Sequence, residues 1–129
     1  MTGPVSVDRI DHFVLTVRNI EASCSFYERA LGMRRVEFDG RVALHFGGQK
    51  INLHLAGHEF EPKAKNATPG SGDFCLISAT PLDAVISHLK SCGIAIELGP
   101  VPKTGAQGKM RSVYFRDPDF NLVEVSNYL

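Results

Sequence analysis

Along residues Ile10–Val17 the side chains alternate: Phe13, Leu15 and Val17 fall on one face of a strand, and His12, Val14 and Thr16 on the other. The period then changes. Asn19 is placed to cap a helix, and Ile20, Cys24, Tyr27 and Leu31 recur at helical spacing up to Gly32, which suits a left-handed stop. Arg34–Phe38 and Val42–Phe46 read as strands joined by Asp39-Gly40, a tight-hairpin signal. Gly47-Gly48 makes a second turn, and Ile51–Leu55 reads as a fourth strand.

Gly57–Gly72, with Pro62, Pro69, Gly70 and Gly72, lacks apolar periodicity and reads as a linker. The same order of elements then begins again. Asp73–Ser78 is a strand, and Thr80-Pro81 gives an N-cap followed by proline at the first helical position. Leu82, Val85, Ile86 and Leu89 form a helical stripe that Gly93 ends, and Ile94–Leu98, Ser112–Arg116 and Asn121–Val125 complete the strands. Gly32 and Gly93 stand 61 positions apart, an offset that lays His12 over Asp73. Near the module ends an offset of 70 lays His54 over Glu124, and the nine extra residues fit the Gly/Pro-rich stretch Gly99–Gly108. A period this long with two copies predicts a duplicated half-domain. The expected fold is α+β: one domain over 1–129, with a β-α-β-β-β module at about 9–57, a linker at 58–72 and a second module at about 73–128.

Composition narrows the function classes. Lys+Arg and Asp+Glu are 14 each, so the net charge is zero and no basic run is present, which argues against bulk phosphate attraction and hence against nucleic acid. No apolar run is long enough to span a bilayer, and the polar start, Met1 to Asp8, does not read as a signal peptide. Cys24, Cys75 and Cys92 are odd in number and widely spaced, as expected of free thiols in a cytoplasmic protein.

Four polar residues interrupt the apolar strands. His12 and Asp73 start the first strand of each module, and His54 and Glu124 lie in the last. Alternation points all four away from the face taken by Phe13, Leu53, Phe74 and Val123. If the two sheets curl around a cleft, two imidazoles and two carboxylates can converge there on a divalent ion: Ni, Zn, Mn or Fe. Taken singly, each has a plainer role: a strand histidine satisfied by a neighbour, or an aspartate opening a strand. His45, His58 and His88 are expected to pack or to be solvated. The Gly99–Gly108 stretch reads as a mobile connector or a lid. Lys103, Lys109 and Arg111 either attract an anion or belong to a solvated loop. Arg116-Asp117-Pro118-Asp119 reads as a tight turn with a local ion pair.

The segments IDHFVLTV, SFYERALGM, INLHL and YFRDPDFNLVEVSNY resemble the vicinal oxygen chelate superfamily over about Arg9 to Tyr128, most specifically in FYxxxLGM and RDPDxN. That superfamily includes glyoxalase I, fosfomycin-resistance proteins, extradiol dioxygenases and bleomycin-resistance binding proteins. The resemblance implies curled mixed sheets around a metal cleft, His12, His54, Asp73 and Glu124 as metal ligands, and a homodimer. It implies a glyoxalase-like lyase or isomerase acting on a small vicinal-oxygen substrate, with Glu124 moving a proton as general base. Three other readings stand beside it: an Fe(II) dioxygenase using His12, His54 and Glu124, a thiol transferase, and a non-catalytic antibiotic-binding protein. The chain departs from bacterial-type glyoxalase I, which has Glu where His54 is expected to ligate and His in place of Asp73.

Overall fold

A computed structural model describes residues 3–129. The elements run β1 (His12–Val17), α1 (Ile20–Leu31), β2 (Arg34–Phe38), β3 (Arg41–Phe46), β4 (Gln49–Leu55), β5 (Asp73–Ile77), α2 (Leu82–Ser91), β6 (Leu98–Gly105), β7 (Gly108–Arg116) and β8 (Leu122–Tyr128). They form two open, mixed, four-stranded sheets, ordered β1-β4-β3-β2 and β5-β8-β7-β6. In each, the first strand of the module lies parallel to the last, and the other pairings are antiparallel. Among the described residues no helix is long and apolar enough to cross a membrane.

The first helix is punctuated as the sequence predicts. Asn19 Oδ1 accepts from the Ala22 N–H at 2.9 Å, and Gly32 stops the helix at φ 67°. The second starts differently. Pro81, extended at φ −53° and ψ 136°, is the N-cap and offers no side-chain hydrogen bond. The cap comes from β8 instead: Asn127 Oδ1 accepts from the Leu82 N–H at 2.7 Å, while its amide donates to the carbonyls of Ser78 and Thr80. Thr80 is therefore not the cap: the helix begins at Leu82, one residue later than expected, so the N-cap place falls on Pro81.

The Gly99–Gly108 connector is not a lid. Leu98–Gly105 is β6, hydrogen-bonded to β7, which begins at Gly108, four residues before the expected start at Ser112. Pro100 and Pro102 are tolerated because β6 is an edge strand, and the register shifts between Leu98 and Val101. The extra length of the second module is a longer hairpin. Of the expected strand Ile94–Leu98, only Leu98 is in β6; Ile94 joins the core.

One apolar cluster joins both modules, with Leu15, Tyr27, Leu44, Ile51 and Leu53 packed with Leu82, Leu89, Val113, Phe115 and Val125. The sheets approach along the β1 and β5 edges. Phe13 and Phe74 rings lie 4.9 Å apart, and a Cβ on Gly72 would meet Leu15 Cδ2 at 2.8 Å. Polar contacts reinforce the junction. Buried Asp117, in the turn between β7 and β8, accepts from the backbone N–H of Asp119 and of Asn121 (both 2.9 Å), from the Asn121 amide (2.8 Å) and from the Tyr27 hydroxyl of α1 (2.6 Å). Asp119 accepts from the Arg18 backbone N–H at 3.0 Å, and Asn121 Oδ1 from the Gly72 N–H at 2.7 Å. Arg116 makes no local ion pair in this turn; it pairs with Glu97 at 2.8 Å.

Removing the acceptor of four donors at a buried site should be costly. Asp117→Ala is expected to lower the unfolding free energy by about 3 kcal/mol or more, and Tyr27→Phe by about 1.5 kcal/mol. Urea denaturation measures both; an Asp117→Ala variant as stable as wild type would show that the turn contributes nothing to joining the modules.

Candidate metal centre

Strand alternation assigns the polar residues to faces. On the first sheet, Ile51 and Leu53 of β4 are in the core, so Asn52 and His54 share the opposite face with His12, Val14 and Thr16 of β1. On the second, Val123 and Val125 are in the core, so Glu124 and Ser126 share the opposite face with Asp73 and Cys75.

Register then fixes which positions of the two modules correspond. His12 pairs with Lys50 and Asp73 with Leu122, so β4 and β8 correspond at an offset of 72: Lys50 over Leu122, Asn52 over Glu124 and His54 over Ser126. The third strands agree, with Ala43 paired to Asn52 and Tyr114 to Glu124. The sequence-based match of His54 with Glu124 is thus displaced by two residues, and His45 corresponds to Arg116, not Phe115. A two-residue slip leaves the inside–outside alternation intact, so the hydrophobic pattern could not reveal it.

Each predicted residue has a distinct setting. His12 is exposed, and its Nδ1 lies 2.8 Å from Asp11 Oδ2, which leaves Nε2 as its free donor atom. That hydrogen bond holds the Asp11 carboxyl below its usual range. Glu124 Oε2 accepts from Ser126 Oγ at 3.2 Å, and Ser126 in turn contacts Ser112 Oγ at 2.6 Å and Cys75 Sγ at 3.2 Å. Burial, then the hydrogen bond with Glu124, pushes the Tyr114 phenol up to about 12. Partial desolvation pushes the thiol of Cys75, an exposed residue, up as well. Asp73 opens β5 and is exposed.

His54 is 8% exposed, its ring edge-on to Phe60 at 5.6 Å, with the Arg41 guanidinium 4.2 Å over the same Phe60 ring. Burial first, then Arg41, lowers its pKa. His54 and Asp73 both line a cavity of about 780 Å³, together with Val14, Thr16, Lys63 and Cys75; His12 and Glu124 do not. That volume falls in the range of roughly 300–1,000 Å³ usual for small-molecule pockets. Among the described residues, no three His, Cys, Asp or Glu side chains come close enough within one chain to hold an ion.

Sequence reasoning passed over two residues of this face. Tyr114 sits across from Glu124, and Asn52 stands where the first module matches it. Tyr114 was legible from alternation with Ser112; Asn52 needed the register. Of the three basic residues near β6, Lys103 reaches the face, with its ammonium 5.6 Å over the Tyr114 ring. Lys109 and Arg111 alternate with buried Met110 and Ser112 and point the other way. His88 is not freely solvated: its Nε2 lies 2.8 Å from the Arg29 carbonyl oxygen.

Residues 9–125 match the family model described as Glyoxalase/Bleomycin resistance protein/Dioxygenase superfamily. The virulence protein STM3117 of Salmonella typhimurium is 53% identical over 124 residues, 95% of this chain and 86% of that protein. Its crystal structure superposes with a TM-score of 0.96, covering 97% of this chain and 100% of the other at 52% identity. The glyoxalase domain-containing protein RDO1 of Mycosarcoma maydis is 48% identical over 96% of this chain and 70% of its own length. The metallothiol transferase FosB of Shouchella clausii is 31% identical over 92% of this chain and 80% of its own.

The surroundings of His54 set its titration. A lowered folded pKa means that the folded state favours the neutral ring. This stabilisation is complete above the unfolded value near 6.5 and is lost as pH falls through the folded pKa. In an NMR titration His54 should titrate below that value, and Arg41→Gln should move it upward. A downward move would show that the guanidinium is not acting on the ring.

Proposed function

The chain belongs to the glyoxalase/bleomycin resistance protein/dioxygenase superfamily, and from that premise we propose that it is a metal-dependent lyase or isomerase acting on a small compound with two neighbouring oxygens. The observation that carries this reading is the paired placement of donors. His12 and Asp73 open the first strands, Asn52 and Glu124 occupy matched positions on the last, and all four share the faces turned from the core.

The residues fit a cation in their chemistry. The Asp11 carboxylate fixes the His12 ring through Nδ1, and Ser126 and Tyr114 orient the Glu124 carboxylate, the outer supports that ligating groups ordinarily have. When bound, a divalent ion polarises the substrate oxygens as a Lewis acid. Glu124 takes a proton from the carbon beside those oxygens and returns it to the neighbouring carbon. The high phenol pKa keeps Tyr114 protonated beside Glu124 at neutral pH. The substrate body enters the cavity walled by Val14, Thr16 and His54.

One chain alone does not gather the donors, so a second copy completes the site in this proposal. The donor-bearing faces also carry apolar side chains open to solvent: Val14 is 45% exposed and Ile77 56%. Such surface beside polar donors is the kind that a partner covers.

A second reading, thiol transfer, is favoured by the likeness to FosB over most of both chains. The dioxygenase triad of His12, His54 and Glu124 has less support, since the register sets His54 opposite Ser126's position and not that of Glu124.

With added Ni, Zn, Mn or Fe(II), the protein should convert the methylglyoxal–glutathione hemithioacetal, and His12→Ala should lose about a hundredfold or more in kcat/KM. Thiol addition to an epoxide in the same assay series would favour transfer instead. No turnover of either substrate with any divalent ion would remove the enzymatic reading. Sedimentation should give a dimer; a monomer that binds metal at full stoichiometry would refute the shared site.

A further inference from the structure

Among the described residues, two buried side-chain polar atoms have no hydrogen-bond partner: Ser23 Oγ and Asn52 Oδ1. Ser23 belongs to the buried side of α1. Asn52 lies on the face that carries His12. Its strand neighbours there are Val14 on β1 and Ala43 on β3, neither of which can donate to an amide oxygen. Burying an acceptor without a donor costs about 1–3 kcal/mol, so an orphan at this point asks for an electropositive partner arriving at the face.

The position itself says which partner. Asn52 is two residues past the partner of His12, as Glu124 is two residues past the partner of Asp73. His54 lies one full strand repeat further on, its ring edge-on to Phe60, and the Arg41 guanidinium, 4.2 Å over that same ring, sets a fixed positive charge close to where a cation would sit. Resting on the metal-dependent reading above, we infer that Asn52 Oδ1, and not His54, is the β4 donor. The set is then His12, Asn52, Asp73 and Glu124: one imidazole nitrogen, one neutral amide oxygen and two carboxylates. Three oxygens in four donors favour a hard cation, Mn or Fe(II), over zinc. His54 is left on the cavity wall, free to hydrogen-bond the substrate.

The test is equilibrium binding of Mn²⁺ to the full chain, followed by the electron paramagnetic resonance of the free ion, in wild type and in His12→Ala, Asn52→Ala, Asn52→Asp and His54→Ala. Thermal melts of the metal-free proteins establish that each variant folds. Asn52→Ala should weaken Mn²⁺ about tenfold, while His54→Ala should leave it within about twofold of wild type, the effect expected of a side chain outside the coordination shell. Asn52→Asp, which adds a charge among the donors, should bind Mn²⁺ more tightly and show a larger rise in Tm on adding the ion. If His54→Ala loses Mn²⁺ while Asn52→Ala retains it, the assignment is overturned. It is also overturned if His12→Ala abolishes binding and Asn52→Ala is silent, an outcome that leaves the metal-dependent reading standing. If wild type and His12→Ala bind Mn²⁺, Zn²⁺ and Ni²⁺ equally, that broader reading falls, and this inference with it.

Discussion

A single buried carboxylate organises the junction between the two halves of this chain. Asp117 collects donors from its own turn, from Asn121 and from Tyr27, a residue 90 positions away on the first helix. A carboxylate removed from water is tolerated only when its lone pairs are filled, and here four donors fill them. Because Tyr27 and Asn121 are held by the same group, and Asn121 also takes the N–H of Gly72, the first helix, the linker's end and the last hairpin are fixed together. The lack of room at Gly72 follows from that packing. The relative setting of the two sheets, on which any shared chemistry depends, is therefore a matter of hydrogen bonds as much as of the apolar core.

Much of this architecture was legible in the chain itself. Strand alternation, helical spacing, Asn19, Gly32 and Asp39-Gly40 predicted the elements of the first module, since each signal acts over a few residues. The second module was harder where the deciding partner is remote. The cap of α2 is Asn127, 45 positions from the N–H it accepts. The prolines of β6 read as breakers because nothing local says that a strand has an edge. The RDPDxN turn was visible as a turn, but not as the acceptor for Tyr27.

The candidate site shows the same limit. His12, Asp73 and Glu124 became candidates because polar residues at strand-starting or matched positions stand out against apolar neighbours. The register position of Asn52 was not legible for two reasons: it is uncharged, and a histidine two residues along offers a more familiar ligand with the same facing. Only the pairing of β1 with β4, compared with that of β5 with β8, distinguishes them. The module symmetry thus holds in the register of the first, third and fourth strands and not in chemistry. The first half presents an imidazole and an amide where the second presents two carboxylates, and negative charge is concentrated on one sheet.

The outermost strands, β2 and β6, bear on strand-to-strand self-association. Each leaves one row of backbone groups without a neighbouring strand, the usual template for runaway polymerisation. Pro100 and Pro102 withhold N–H groups along β6, and Arg34, Arg35 and Glu37 put charges along β2. Ribbon-to-ribbon growth is thereby discouraged at both flanks. The open sheets can expose broad faces without becoming seeds for fibrils.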